Sequence, residues 1–141
     1  MSAVDGMTAA VLAVLAVTDF RRHRLPWRWM AALVALALLS AVLKGGWMGL
    51  AIALVSGLVA ALPFWTLRRL LPRDDARWRL GGGDLRLAFA LGAWLGALPA
   101  LLLLAVASGL AGIAGFALKR AQPLGTWCVA VLAGGWLMTR L

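Results

Sequence analysis

Two aspartates stand where an apolar chain can least accommodate them. Asp84 follows Gly81-Gly82-Gly83 and opens a run of nearly unbroken apolar residues. Asp19 closes the first apolar segment. The chain has five acidic residues, all Asp. An ionisable group at the edge of a hydrophobic helix is costly and marks a functional site by default. Two carboxyls are what acid–base hydrolysis of a peptide bond needs. The ionised one takes a proton from water, and the neutral one donates to the scissile carbonyl or the leaving nitrogen. Close together in a partly desolvated site they share one proton, because like charge and burial oppose the second ionisation. Glycines ahead of Asp84 let backbone approach a substrate main chain, and an extended substrate can pair with exposed backbone as strands pair with edges.

Each of these residues also has a plainer reading. Asp is a preferred helix N-cap, so Asp84 equally fits a cap after a Gly-rich turn. Asp19 equally fits an interfacial acid neutralised by Arg21 or Arg22. Asp74 and Asp75, beside Arg73 and Arg77, read as solvated loop charges, and Asp5 as a boundary residue near the outer N-terminus. His23 is the single histidine, so no metal site is expected. Cys128 lies alone in an apolar run and reads as a packing residue. Gly81–Gly83 looks like a phosphate-cradling loop, but no Gly-Lys-Ser/Thr follows and Asp84 would repel phosphate. No cofactor is expected. Gly92 and Gly96 have the small-xxx-small spacing of close helix packing.

The elements that must position the aspartates follow from composition. Of 141 residues, 64% are hydrophobic, and mean hydropathy is +0.94. Soluble domains run about 45–50% apolar, so a soluble fold would have no surface for the excess. The expectation is an all-α, polytopic membrane protein, one domain over residues 1–141. The net charge of +9 could indicate nucleic acid, but the basic residues fall in short loops between apolar runs, the pattern of topology signals. Lipid contact is expected and nucleic acid is not. The N-terminus lacks a basic n-region and a small-residue cleavage site, and reads as an uncleaved first span.

Six apolar segments are legible: Ala3–Thr18, Trp29–Leu43, Trp47–Leu67, Leu85–Leu98, Ala100–Leu118 and Leu124–Met138. Lys44-Gly45-Gly46 separates the second from the third, and Pro99 is expected to turn the chain between the fourth and fifth. Twelve of the fourteen basic residues lie in one set of loops, with only Lys44 and Arg140 on the other side. The positive-inside rule puts the twelve in the cytoplasm and both termini outside. Trp27, Trp29, Trp47, Trp65, Trp127 and Trp136 fall near segment ends as an aromatic belt. Asp19 then ends an inward-running segment and Asp84 begins an outward-running one, so both lie at the cytoplasmic boundary. From Asp84 to Leu98 is about 22 Å of helix, less than the ~30 Å hydrocarbon core. That predicts Asp84 below the surface and the three glycines as non-helical backbone at depth.

The two motifs together have a family likeness. Asp19-Phe-Arg-Arg-His-Arg-Leu-Pro26 resembles the first aspartate motif of the type IV prepilin peptidases. Leu80-Gly81-Gly82-Gly83-Asp84-Leu85-Arg86-Leu87 resembles their second, Gly-x-Gly-Asp, and Ala90 to Gly96 resembles their fourth-helix region. The likeness covers nearly the whole chain in span count and motif order. It departs at Trp27, where the family usually has Asn or Asp, and at Arg86, where Lys is usual. Presenilin-like proteases share Gly-x-Gly-Asp, but their partner aspartate follows Tyr, and this chain has none. The likeness implies an intramembrane aspartyl endopeptidase of the bacterial inner membrane. Its substrates would be type IV (Flp-like) prepilins or pseudopilins, cut at a cytoplasmic leader. Asp19 and Asp84 would be the catalytic pair, with Gly81, Gly83 and Arg86 at the substrate; Arg86 equally fits a snorkelling interfacial charge. Nothing matches the paired CxxC segment associated with N-methylation in larger members, which implies the peptidase-only form. The competing reading is a non-catalytic six-helix transporter subunit or assembly scaffold, its acids binding cations or pairing with arginines.

Overall fold

The computed structural model describes residues 3–22, 27–70, 82–118 and 124–138. They form five α-helices: α1 (Ala3–Arg22), α2 (Trp27–Leu70), α3 (Gly82–Leu95), α4 (Ala97–Leu118) and α5 (Leu124–Met138).

Helix α2 is a hairpin. At Gly46 the backbone leaves helical geometry with φ 56° and ψ −142°, a region glycine enters without steric penalty. Residues 27–45 and 47–70 fold back on each other. Ala37 and Ala53 pack in one cluster, and a Cβ on Gly49 would strike the Ala41 carbonyl. In a straight helix Ala41 and Gly49 would be about 12 Å apart. The Lys44-Gly45-Gly46 break expected from the sequence is therefore a reversal, and the described chain holds six helical runs.

The next turn differs from the expectation. The helix breaks at Gly96, with φ 91°, and Pro99 lies inside the first turn of α4. Gly96 donates its N–H to the Gly92 carbonyl at 3.0 Å and accepts from Ala100 N–H at 3.2 Å, closing one helix and opening the next. Pro99 fits there because first-turn N–H groups have no helical partner to lose. Pro63, in contrast, sits within residues 47–70 of α2, where the Thr66 hydroxyl donates to its carbonyl at 2.8 Å.

Helix α3 is the central element. Its tightest contact is with residues 47–70. A Cβ on Gly92 would lie 2.6 Å from the Ser56 carbonyl oxygen and 2.6 Å from the Ala60 Cβ. One on Gly57 would lie 2.9 Å from the Phe89 ring. Small residues bring the two backbones together, as expected for Gly92; Gly96 serves the turn. The main core gathers Leu15, Met30, Leu33, Leu87, Leu91 and Leu104 from four helices, with Cys128 of α5 fully buried among them.

Outside this core the molecule is apolar. Trp47 and Phe116 are 86% and 90% exposed, and most of the large hydrophobic residues of α2 and α4 face outward. Water would penalise so continuous an apolar surface, whereas lipid does not. Trp27–Leu70 and Ala97–Leu118 are long and apolar enough to cross a membrane, with mean hydropathies of 2.1 and 2.3; Ala3–Thr18 and Thr126–Gly135 are shorter apolar helices.

Candidate active site

Helix α1 carries its buried residues on one stripe: Asp5, Thr8, Leu12, Leu15 and Ala16. This is the i, i+3, i+4, i+7 spacing of a single helix face. Asp19 is the next position on that stripe. It lies in the last turn of α1, which runs on to Arg22, four residues beyond the expected end. The structure describes Asp19 through its backbone alone.

Helix α3 repeats the arrangement in reverse. Leu87, Ala88 and Leu91 are fully buried, and Asp84 occupies the position one turn before them on the same face. Asp84 is half-buried and belongs to the first turn of α3. The helix starts at Gly82, so Gly82 and Gly83 are helical and not the irregular backbone expected from the sequence. The reason is spacing: the break at Gly96 moves the helix toward the N-terminus by three residues at both ends. Asp84 is accordingly the third helical residue, past the N-cap, where a carboxylate still gains from the helix dipole. Gly81, Asp74, Asp75 and His23 lie outside the described residues.

Which ends of the two helices coincide is settled by a contact at the far side. Trp94 Nε1 donates to Asp5 Oδ1 at 3.2 Å. From Asp5 to Asp19 is roughly 21 Å along α1, and from Trp94 back to Asp84 roughly 15 Å along α3. Both aspartates therefore stand at the same end of the bundle. No Cα of α1 comes within 8 Å of a Cα of α3 among the described residues. The helices meet through side chains, Leu12 and Leu15 of α1 sharing one core with Leu87 and Leu91 of α3. The last turns of α1 are also tied to α5, where the Thr126 hydroxyl donates to the Ala16 carbonyl at 3.2 Å.

Basic side chains gather at this end. Arg68 reaches the start of α3, its guanidinium 3.5 Å from where a Cβ on Gly82 would stand. Arg69 lies over the Trp65 ring, 4.4 Å from its centre, a cation–π contact. Arg86 is exposed and lines an open cavity of about 470 Å³ with Val34, Leu58, Leu62, Trp65 and Phe89. Around α3, Leu85, Phe89 and Arg86 sit about 100° to 200° from Asp84 at 100° per residue. The groove and the aspartate thus occupy different sides of one helix, and Arg86 belongs to the groove.

Sequence reasoning missed a polar cluster at the opposite end. Asp5, expected to be a boundary residue, is 8% exposed. Its Oδ1 accepts from Ser40 Oγ at 2.9 Å, Lys44 Nζ at 2.7 Å and Trp94 Nε1 at 3.2 Å. The signal was present in the spacing of Asp5 with Thr8, Leu12 and Leu15, which puts it on the inward face. No group of three or more metal-ligating side chains occurs among the described residues.

The described helices form an apolar bundle, with Asp84 on the buried side of α3 and the last turn of α1, which holds Asp19, at the same end. The chain belongs to the type IV leader peptidase family, whose pattern it matches over residues 7–116. It is 39% identical over 101 residues to a prepilin leader peptidase/N-methyltransferase of Pectobacterium carotovorum subsp. carotovorum. That match covers 70% of this chain and 36% of the relative, so the chain spans about a third of the relative's length. No solved structure matches it.

Proposed function

We propose that this protein is an intramembrane aspartyl endopeptidase of the bacterial inner membrane, removing the cytoplasmic leader from type IV (Flp-like) prepilins or pseudopilins. The observation that supports the reading is that the last turn of α1, with Asp19, and the first turn of α3, with Asp84, lie at the same end, opposite the Asp5–Trp94 contact. Family membership adds to it, as does the name of the Pectobacterium relative. Asp19 and Asp84 are the catalytic pair. The ionised carboxylate takes a proton from water, whose oxygen adds to the scissile carbonyl carbon. The neutral carboxyl protonates the carbonyl oxygen, and a proton passes to the nitrogen as the C–N bond breaks. Gly81 and Gly83 leave the approach to Asp84 free of side chains. Arg86, on the groove side of α3, meets flanking substrate and not the scissile bond.

In this reading the six helical runs each cross the membrane, with both termini outside and the aspartates at the cytoplasmic face. Arg21, Arg28, Arg68, Arg69 and Arg86 lie toward the Asp84 end and Lys44 at the other, as the positive-inside rule requires. The test is cleavage of a model prepilin by purified protein. Asp19→Asn and Asp84→Asn should each lower turnover by roughly 10²–10⁴-fold or more, the range of a lost acid–base group, in protein that still inserts with native helix content. Asp74→Asn and Asp75→Asn should retain most activity. Wild-type cleavage by either motif variant rejects the assignment.

A further inference from the structure

We propose that Asp5, through Ser40, Lys44 and Trp94, is a positioning residue that sets the spacing of α1 and α3 and so holds Asp19 and Asp84 in register. The inference rests on the aspartyl pair proposed above. One carboxylate oxygen takes three donors from two other elements: Ser40 and Lys44 of α2, and Trp94 of α3. These bonds are directional, whereas the surrounding Leu and Ala contacts slide at little cost. α1 and α3 have no direct backbone approach among the described residues, and each packs against α2, so the Asp5 hydrogen bonds are the direct polar link between them at this end. Packing on α2 brings the two helices near each other, the Asp5 bonds fix their rotation and spacing at this end, and a continuous helix carries that setting to Asp19.

Leverage gives the effect its size. Over the roughly 21 Å from Asp5 to Asp19, a tilt of about 3° displaces the far end by about 1 Å. A misplacement of about 1 Å at a catalytic group costs up to about 10²-fold in rate. The ion pair is poorly suited to a purely stabilising role. The Lys44 side chain is 56% exposed against 11% for Asp5, and a solvated cation adds little net stability. What it adds is orientation, holding the Asp5 carboxylate toward Ser40 and Trp94. An ion pair kept for specificity more than for stability has precedent in folded proteins.

The experiment uses the full chain with Cys128→Ala, carrying nitroxide labels at Arg21→Cys and Arg86→Cys, on exposed positions of α1 and α3. Electron-spin distance measurements read the separation of the two helix ends. Turnover is measured on unlabelled protein with Arg21 and Arg86 intact, and normalised to the folded fraction. Asp5→Asn should broaden the distance distribution and lower kcat by about 10- to 100-fold, with KM within about twofold because substrate contacts are untouched. Leu104→Ala, a core truncation in α4, should lower thermal stability and leave both the distance and the normalised kcat unchanged. If Asp5→Asn fails to insert, Lys44→Met decides by the same readouts, with changes of the same sign. Unaltered distance and normalised kcat in the deciding variant, with Asp19→Asn and Asp84→Asn inactive, overturn the positioning role and leave the peptidase reading intact. Wild-type cleavage by Asp19→Asn or Asp84→Asn removes both.

Discussion

At the scale of residues, the glycines before Asp84 separate helix formation from substrate approach. Gly82 and Gly83 are helical, and glycine in a helix is less favourable than alanine by about 0.5–1 kcal/mol. Gly83→Ala should therefore leave thermal stability equal or slightly raised. If Gly83 is where substrate backbone approaches Asp84, the same change should lower turnover, because a methyl group fills that approach. The check is a melting curve and a cleavage assay on one preparation. Turnover that follows stability upward would remove Gly83 from the substrate path. Asp84 was legible as an unusual acid from its neighbours alone. For Asp5 the spacing with Thr8, Leu12 and Leu15 indicates an inward face, but its partners, 35, 39 and 89 residues away, were not legible.

At the scale of elements, the α2–α3 contact depends on missing side chains. Gly92 meets the Ser56 carbonyl and the Ala60 Cβ at 2.6 Å from a would-be Cβ, and Gly57 Cα at 2.9 Å. Two of those three atoms are backbone and one is a Cβ, none of which can rotate away. Gly92→Ala should destabilise the protein by about 1–3 kcal/mol, the cost of overpacking, seen as a lower melting temperature in detergent. Gly109→Ala, where nothing lies within 4 Å, is the comparison and should not fall. The expected helix order and the reversal near Gly46 were readable because an apolar run broken by Lys-Gly-Gly has few alternatives. The expected turn at Pro99 was misplaced by three residues, since proline is also welcome in a first helical turn and glycine at positive φ decides the break.

At the scale of the molecule, the proposed topology has six helical runs that alternate in direction and bring Asp19 and Asp84 to one end, with Arg21, Arg28, Arg68, Arg69 and Arg86. Asp5 and Lys44 mark the other. In the proposed orientation the arginine end faces the cytoplasm. A cysteine introduced at Arg69, in the Cys128→Ala background, should react with a membrane-impermeant reagent only after the cytoplasmic face is opened. One introduced at Gly45 should react in intact cells with a permeable outer membrane. Reversed labelling would put the aspartates on the wrong side to meet a cytoplasmic leader.

The helical class, the excess of apolar surface and the two motif aspartates were legible in the chain alone. Those follow from composition, from the order of apolar runs and from charge placement, all local or additive properties. Packing in three dimensions was needed to show that Gly82 and Gly83 are helical, that Arg86 lines a groove on another side of α3 from Asp84, and that Asp5 joins three helices. The first follows from where the chain breaks at Gly96, and the other two depend on the rotation of one helix about its axis relative to another. Hydropathy along a chain buried on several faces carries little rotational information, so packing of small residues such as Gly57 and Gly92 had to settle it.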